Sequence, residues 1–179
     1  QGWTPSERVI DDAFDKVFRE ADGRILIATF ASLISRMQQV GNAALKHNRK
    51  TAFAGLSMVD NAKIARELGY LQLPDNLIVS LDEALHMKDS DVVIMCTGSQ
   101  GEPTSILGRL SRGTHRVFDV KNGDTIVLSS HPIPGNEENV YGTINRLLDR
   151  GANVIYEAIA PVDVSGHASQ EEMKLLLHL

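Results

Sequence analysis

The chain has 179 residues, 42% apolar and 23% charged; this suits one globular domain with a full core and excludes a disordered or fibrous protein. Eighteen lysines and arginines against 23 aspartates and glutamates leave a net charge of −5, which argues against coating nucleic acid by bulk charge but leaves a local basic groove open. A single cysteine, Cys96, excludes a disulfide framework and a cysteine-rich zinc module.

Thr4-Pro5-Ser6-Glu7 reads as a helix start, with Thr at the N-cap, Pro at the first helical position and Glu closing a capping box. Val9, Ile10, Ala13, Phe14, Val17, Phe18 and Ala21 then recur at helical spacing as far as Asp22-Gly23. Arg24 to Phe30 predicts a buried strand, followed by a helix from about Ser32 to His47. Lys50 to Leu56 is read as a second strand, and Ser57-Met58-Val59-Asp60 opens a helix running to about Gly69. Leu77 to Ser80 is expected as a short third strand and Leu81 to Met87 as a short helix. Asp91 to Thr97 is a nearly continuous apolar strand, with a helix after Pro103. Asp124 to Ser129 follows the Asn122-Gly123 turn signal as a strand. Glu137 to Arg150 is a helix ended by Gly151, Asn153 to Glu157 a strand, and Ser169 with Glu172 caps a last helix.

Strands that are apolar throughout, alternating with helices, predict a doubly wound α/β domain: a mainly parallel sheet with helices on both faces. No repeat, low-complexity segment or long linker divides it, so residues 1–179 are expected as a single domain. No apolar run approaches the roughly 18 residues of a membrane span and no signal-like segment opens the chain, so the expected location is cytoplasmic with no membrane partner.

In such sheets ligands bind beyond the carboxyl ends of the strands. Three segments there combine glycine, hydroxyls and a following helix: residues 96–103, residues 129–137 and residues 164–169. Their backbone N–H groups favour anions such as phosphate, although each segment alone is an ordinary strand-to-helix turn. No G-x-G-x-x-G follows the first strand, and no G-x-x-x-x-G-K-[ST] or G-x-S-x-G occurs. No H-x-H-x-D-H or H-E-x-x-H is present either, so no familiar metal centre is built by this chain alone. His47, His86 and His178 read as surface histidines. The basic stretches Lys46 to Lys50 and Arg109 to Lys121 read as solvated helix ends and loops, with His115 in a basic, phosphate-facing or solvated run. His167 stands apart, in a tight Ser-Gly-His-Ala-Ser turn that would present its imidazole.

Taken together, TGSQGEP (97–103), PIPGNE (132–137) and SGHASQEE (165–172), in this order, resemble the β-CASP region of ribonuclease J, a family of metallo-β-lactamase-fold RNA-degrading enzymes. TFASLISRMQQ (29–39) and TPSE (4–7) match further family motifs, so the resemblance covers nearly the whole chain. It implies a β-CASP insertion from a larger protein, whose two divalent metals (zinc, or manganese or magnesium) are held by a metallo-β-lactamase domain outside this chain. The fragment is then expected to carry no metal or cofactor of its own and to be inactive by itself. For the intact enzyme it implies metal-dependent hydrolysis of RNA phosphodiesters, exonucleolytic or endonucleolytic, with a metal-bound hydroxide attacking in line.

By the same resemblance His167 is the motif histidine facing the scissile phosphate, as proton donor or transition-state donor. Ser165, Gly166, Ala168 and Ser169 would bind phosphate. Gly98, Ser99, Gln100, Gly101 and Glu102, with Ser130, Pro134, Gly135 and Asn136, would complete a pocket at the RNA 5′ end, and Arg36 is a phosphate contact. The implied partners are single-stranded RNA held by its 5′ phosphate, the protein's own metallo-β-lactamase domain, and further copies in a homo-oligomer. Two positions depart from the family pattern: His131, where a small hydroxyl residue is expected, and Asp163, where histidine is common. Other readings are a stand-alone phosphate- or nucleotide-binding regulatory module and a purely structural or oligomerising domain.

Overall fold

The computed structural model describes residues 6–164. Its strands are β1 (Ile25–Ala28), β2 (Lys50–Phe53), β3 (Val92–Cys96), β4 (Thr125–Leu128) and β5 (Asn153–Ile155). They form one five-stranded, all-parallel sheet in the order β2-β3-β1-β4-β5. The helices are α1 (Arg8–Glu20), α2 (Ile34–Lys46), α3 (Leu56–Glu67), α4 (Leu81–His86), α5 (Ile106–Arg112) and α6 (Glu137–Asp149). This is the doubly wound α/β arrangement expected from the apolar runs.

Side-chain alternation along each strand divides the core in two. Ile25, Ile27, Val93, Met95 and Val127 pack with Phe14, Met37, Val40 and Met58 from α1, α2 and α3. Leu26, Ala28, Ile94, Cys96, Ile126 and Leu128 pack on the other face with Ala84, Leu107, Leu110, Ile144 and Leu147 from α4, α5 and α6. Because both faces are covered, neither set can be polar, and the runs read as continuous rather than alternating.

Several boundaries differ from the sequence expectation. The first helix starts at Arg8, whose N–H donates to Ser6 Oγ at 3.3 Å; Thr4 and Pro5 lie outside the described residues. It ends at Glu20, because Ala21 is already extended. The second strand stops at Phe53 rather than Leu56, since Gly55 takes φ 95° and α3 starts at the next residue. Leu77 to Ser80 is not a strand. Asp75–Leu77 forms a single 3-10 turn, and only the Thr51–Ile78 bridge follows, with Val79 N–H donating to Thr51 O at 3.0 Å. Ser80 is already needed as the N-cap of α4, where its Oγ accepts from Glu83 N at 3.1 Å, so the segment is too short to extend a ladder. The helix expected from Ser169 lies outside the described residues.

The basic stretch Lys46 to Lys50 also departs from a simple solvated end. Arg49 is buried, and its guanidinium donates to the carbonyls of Ala21 (2.6 Å), Gly23 (2.7 Å) and Val92 (3.2 Å). It thereby closes the amino edge of the sheet over the end of α1. Lys46 and His47 instead reach Asp15 on α1, at 2.7 and 2.8 Å. Hydrogen bonds from Lys46 and then His47 hold the Asp15 carboxyl down at about 2, against an ordinary value of 3.8.

A second buried cation fixes β1 against β4. Arg24 Nη2 and Nε meet Asp124 Oδ2 and Oδ1 at 2.6 and 3.1 Å, with both residues almost fully buried. Asp124 also accepts from Lys121 N, and Arg24 donates to Asp119 O and lies over the Phe118 ring. Such a pair is costly to break from one side, because the remaining charge is stranded. Asp124→Ala should lower the unfolding free energy by about 3–5 kcal/mol in urea denaturation. The depressed Asp15 carboxyl contributes stability that is present above its unfolded value of 3.8 and lost as the pH falls through about 2. Asp15→Asn should therefore lower the melting temperature at neutral pH, and the gap should close as the pH approaches 2.

Candidate functional site

The strand order places a crevice at the carboxyl edge of the sheet. β1 lies between β3 and β4. The chain leaves β1 toward α2 on one face but leaves β3 and β4 toward α5 and α6 on the other, so the loops after these three strands part around a cleft. The loops at residues 97–105 and 129–136 both open there, as does the segment following β5.

Residues 97–105 form a tight turn that needs glycine twice. Gly98 and Gly101 have φ of 113° and 74°, and a Cβ on Gly101 would sit 2.4 Å from Asn139 O, so this backbone lies directly on the first turn of α6. Ser105 then caps α5, accepting from Gly108 N at 3.0 Å while donating to Glu102 O at 2.7 Å. Gln100 is buried and joins the two loops: its amide Nε2 donates to Ser130 Oγ (2.9 Å) and His131 O (2.7 Å), and its Oε1 accepts from Ile133 N (2.8 Å).

Of the residues expected to bind phosphate, Gly98, Ser99, Gln100, Gly101 and Ser130 are buried, with Gln100 and Ser130 occupied in joining the loops. Glu102, Pro134 and Gly135 are exposed and Asn136 is half-buried, at the N-cap of α6. Gly135 N–H is taken by Glu137 Oε2 at 2.7 Å. Arg36 is also buried, at 1% exposure, and its guanidinium is engaged internally. Its Nη1 donates to Val162 O (2.5 Å) and to Ser129 Oγ, and its Nη2 pairs with Asp163 Oδ1 at 3.1 Å. Contact with a phosphate would require this pairing to open. Ser165, Gly166, His167, Ala168 and Ser169 lie outside the described residues.

His131 and Asp163, the two departures from the family pattern, contact each other. Asp163 Oδ2 accepts from His131 N at 2.9 Å and lies 2.5 Å from its Nδ1, while Nε2 faces Glu157 Oε1 at 2.7 Å. The line Arg36–Asp163–His131–Glu157 thus runs from the interior to an open groove of about 440 Å³, lined also by Val9, Ile159 and Val164. A smaller hollow of about 190 Å³ adjoins it, walled by Ser130, Pro132, Tyr141 and Tyr156. The two tyrosine rings meet edge to face there, 6.2 Å apart. The roles of Gln100 and Glu157 are not visible in the sequence: no motif marks Glu157, and Gln100 sits inside one that reads as ligand-facing.

The arrangement can position an anion-binding loop but does not form a metal cage. The ring nitrogens of His131 face carboxylates on opposite sides, so the trio does not converge on one cation. Among the described residues no group of three His, Cys, Asp or Glu side chains is placed to hold a metal ion.

Residues 22–147 match the model of the ribonuclease J β-CASP domain. The chain is 47% identical over 178 residues to ribonuclease J of Synechocystis, 50% identical to that of Thermus thermophilus, and 44% identical to that of Helicobacter pylori. Each of these alignments covers 99% of this chain but only 28%, 31% and 26% of the relative, so the chain spans less than a third of the curated proteins it matches.

Because Gln100 makes three hydrogen bonds across the loops, Gln100→Leu should destabilise the fold by roughly 1–3 kcal/mol. Amide exchange at Ile133 should quicken, while that at Ile94 in the sheet centre should follow global stability alone.

Proposed function

The chain belongs to the ribonuclease J β-CASP domain family, and from that premise we propose that it is the RNA-binding part of a larger metal-dependent ribonuclease. The observation that supports this reading most directly is that two of its three glycine-rich motif segments meet at the carboxyl-edge crevice, joined by Gln100. The third begins at residue 165, just beyond the described backbone and two residues after Asp163, which with Val162 is tied to Arg36. The first two can therefore act on one anionic ligand, and we assign the third to the same ligand from the family resemblance.

In this reading the chain's own work is binding and orientation, and the metals belong to a flanking metallo-β-lactamase domain. The RNA 5′ phosphate is received by the loops around Gly98 to Glu102 and Ser130 to Asn136 and by Ser165 to Ser169. His167 donates a proton to the leaving oxygen or a hydrogen bond to the charged transition state. Arg36 acts from behind: paired with Asp163, it holds the segment after β5 against α2. With 5% aromatic residues in the chain, recognition falls on backbone and phosphate rather than on bases. Among the described residues no helix is long and apolar enough to cross a membrane, and we place the enzyme in the cytoplasm, as a homo-oligomer.

The test is cleavage of a 5′-monophosphorylated single-stranded RNA with Zn²⁺ or Mn²⁺, comparing this chain with the chain joined to its flanking metallo-β-lactamase domain. Cleavage is expected only in the joined protein, and His167→Ala there should lower it by roughly 100-fold or more with unchanged thermal unfolding. Cleavage by the chain alone, or full turnover by His167→Ala, would overturn the assignment. Tight binding of a mononucleotide by the isolated chain without metal would point instead to a regulatory module.

A further inference from the structure

Five surface cations of this acidic chain are matched by carboxylates: Arg19 and Lys46 by Asp15, Arg66 by Asp75, Lys121 by Asp89 and Arg150 by Asp119. Among the described residues other unpaired cations are scattered over the surface, but the α5–α6 region gathers several arginines close together in the chain. Arg109, Arg112 and Arg116 are exposed and Arg146 is half-buried, and none of the four has an ion-pair partner among the described residues.

Two of these guanidinium groups, those of Arg112 and Arg146, are anchored rather than loose. Arg112 Nη1 donates to Gly108 O at 3.2 Å. Arg146 donates to Ser111 Oγ (3.2 Å) and Thr143 Oγ1 (2.9 Å), and Arg150 to Ser111 O (3.1 Å). The unpaired Arg112 and Arg146, beside the Asp119-paired Arg150, are therefore held around the last turn of one seven-residue helix. The helix dipole accounts for one or two cations there, but not for keeping like charges together. The Arg146 guanidinium is pulled below its ordinary range by burial and then by the neighbouring charge of Arg112. An external anion would relieve that repulsion.

Position decides which anion fits. α5 begins at the loop of the candidate site, and seven residues span only ~10 Å. α5 and α6 both start at the carboxyl edge and pack side by side, so the face between them leads from the crevice to the arginines. The stretch Arg109 to Arg116 contains no Phe, Tyr or Trp, and its one ring, His115, is packed edge-on against Phe118, so the large aromatic anchors of a protein interface are missing there.

We propose that the α5–α6 arginine face is a second, sequence-independent RNA track outside the pocket, holding phosphates of a single strand a few nucleotides from the reacting end. This rests on the RNA-binding reading above. It predicts that long substrates gain affinity that short ones cannot.

The test uses the intact protein and two 5′-monophosphorylated RNAs, a tetranucleotide and an oligomer of about 30 nucleotides, with KM, kcat and their salt dependence measured for each. In Arg109→Ala/Arg112→Ala/Arg116→Ala the KM for the long RNA should rise roughly tenfold with kcat unchanged. Its log–log salt slope should shrink by about 2, at ~0.7 per lost phosphate contact. The tetranucleotide should be unaffected, and the matching triple lysine variant should behave as the parent. Unchanged KM and slope on the long RNA would overturn the track while leaving the RNA reading standing, as would an equal loss on both RNAs. A parent that cleaves neither RNA would remove the RNA reading itself, and the track with it.

Discussion

A guanidinium with 1% exposure cannot be left alone, and the carboxyl edge of this sheet is organised around that requirement at Arg36. α2 carries the charge inward beneath the Phe14 ring, and the chain supplies Ser129 from the end of β4 and Val162 and Asp163 from the segment after β5. Neutralising one cation therefore fixes the path of three separate parts of the backbone. Asp163, held on one oxygen by Arg36, uses the other to orient His131, and His131 in turn meets Glu157. The groove wall is the outer end of a charge network whose inner end is a packing necessity.

The same network gives a physical account of the two departures from the family pattern. Asp163 gives His131 a carboxylate partner, and His131 gives Asp163 a second partner beside Arg36. Together they make a bonded pair. The Asp163 carboxylate stands against Arg36 and pairs with it inside the fold.

The layout was legible where apolar period and turn chemistry agree. All five strands and six helices of the described region follow the apolar runs and the Gly or Ser signals that bound them, and helix ends such as Gly113 and Gly151 fall where glycine takes positive φ. What the pattern could not show was competition at the ends of runs. Leu77 to Ser80 has a strand's composition, but Ser80 is claimed by the next helix. Arg49 and Arg36 look like solvated or ligand-facing cations, yet both are consumed by carbonyls and a carboxylate brought from far along the chain. Gln100 belongs to the same class: a polar residue in a glycine-rich loop is equally suited to a ligand or to a neighbouring loop, and only tertiary packing decides.

The central position of β1 has a consequence for how the domain comes into being. Ile25 is paired with Val93 on one side and with Thr125 on the other, so the first strand made is the one that waits longest for its neighbours. Closing contacts of that sequence separation is slow, because loop entropy is paid before any pairing is gained. β2 and α3 also precede β3, but α1, α2 and α3 pack on one face of β1 only, and one edge of β1 remains open until β4 follows. The second face of β1, covered by α5 and α6, and the edge paired by β4 are the parts of the strand that wait longest for their partners.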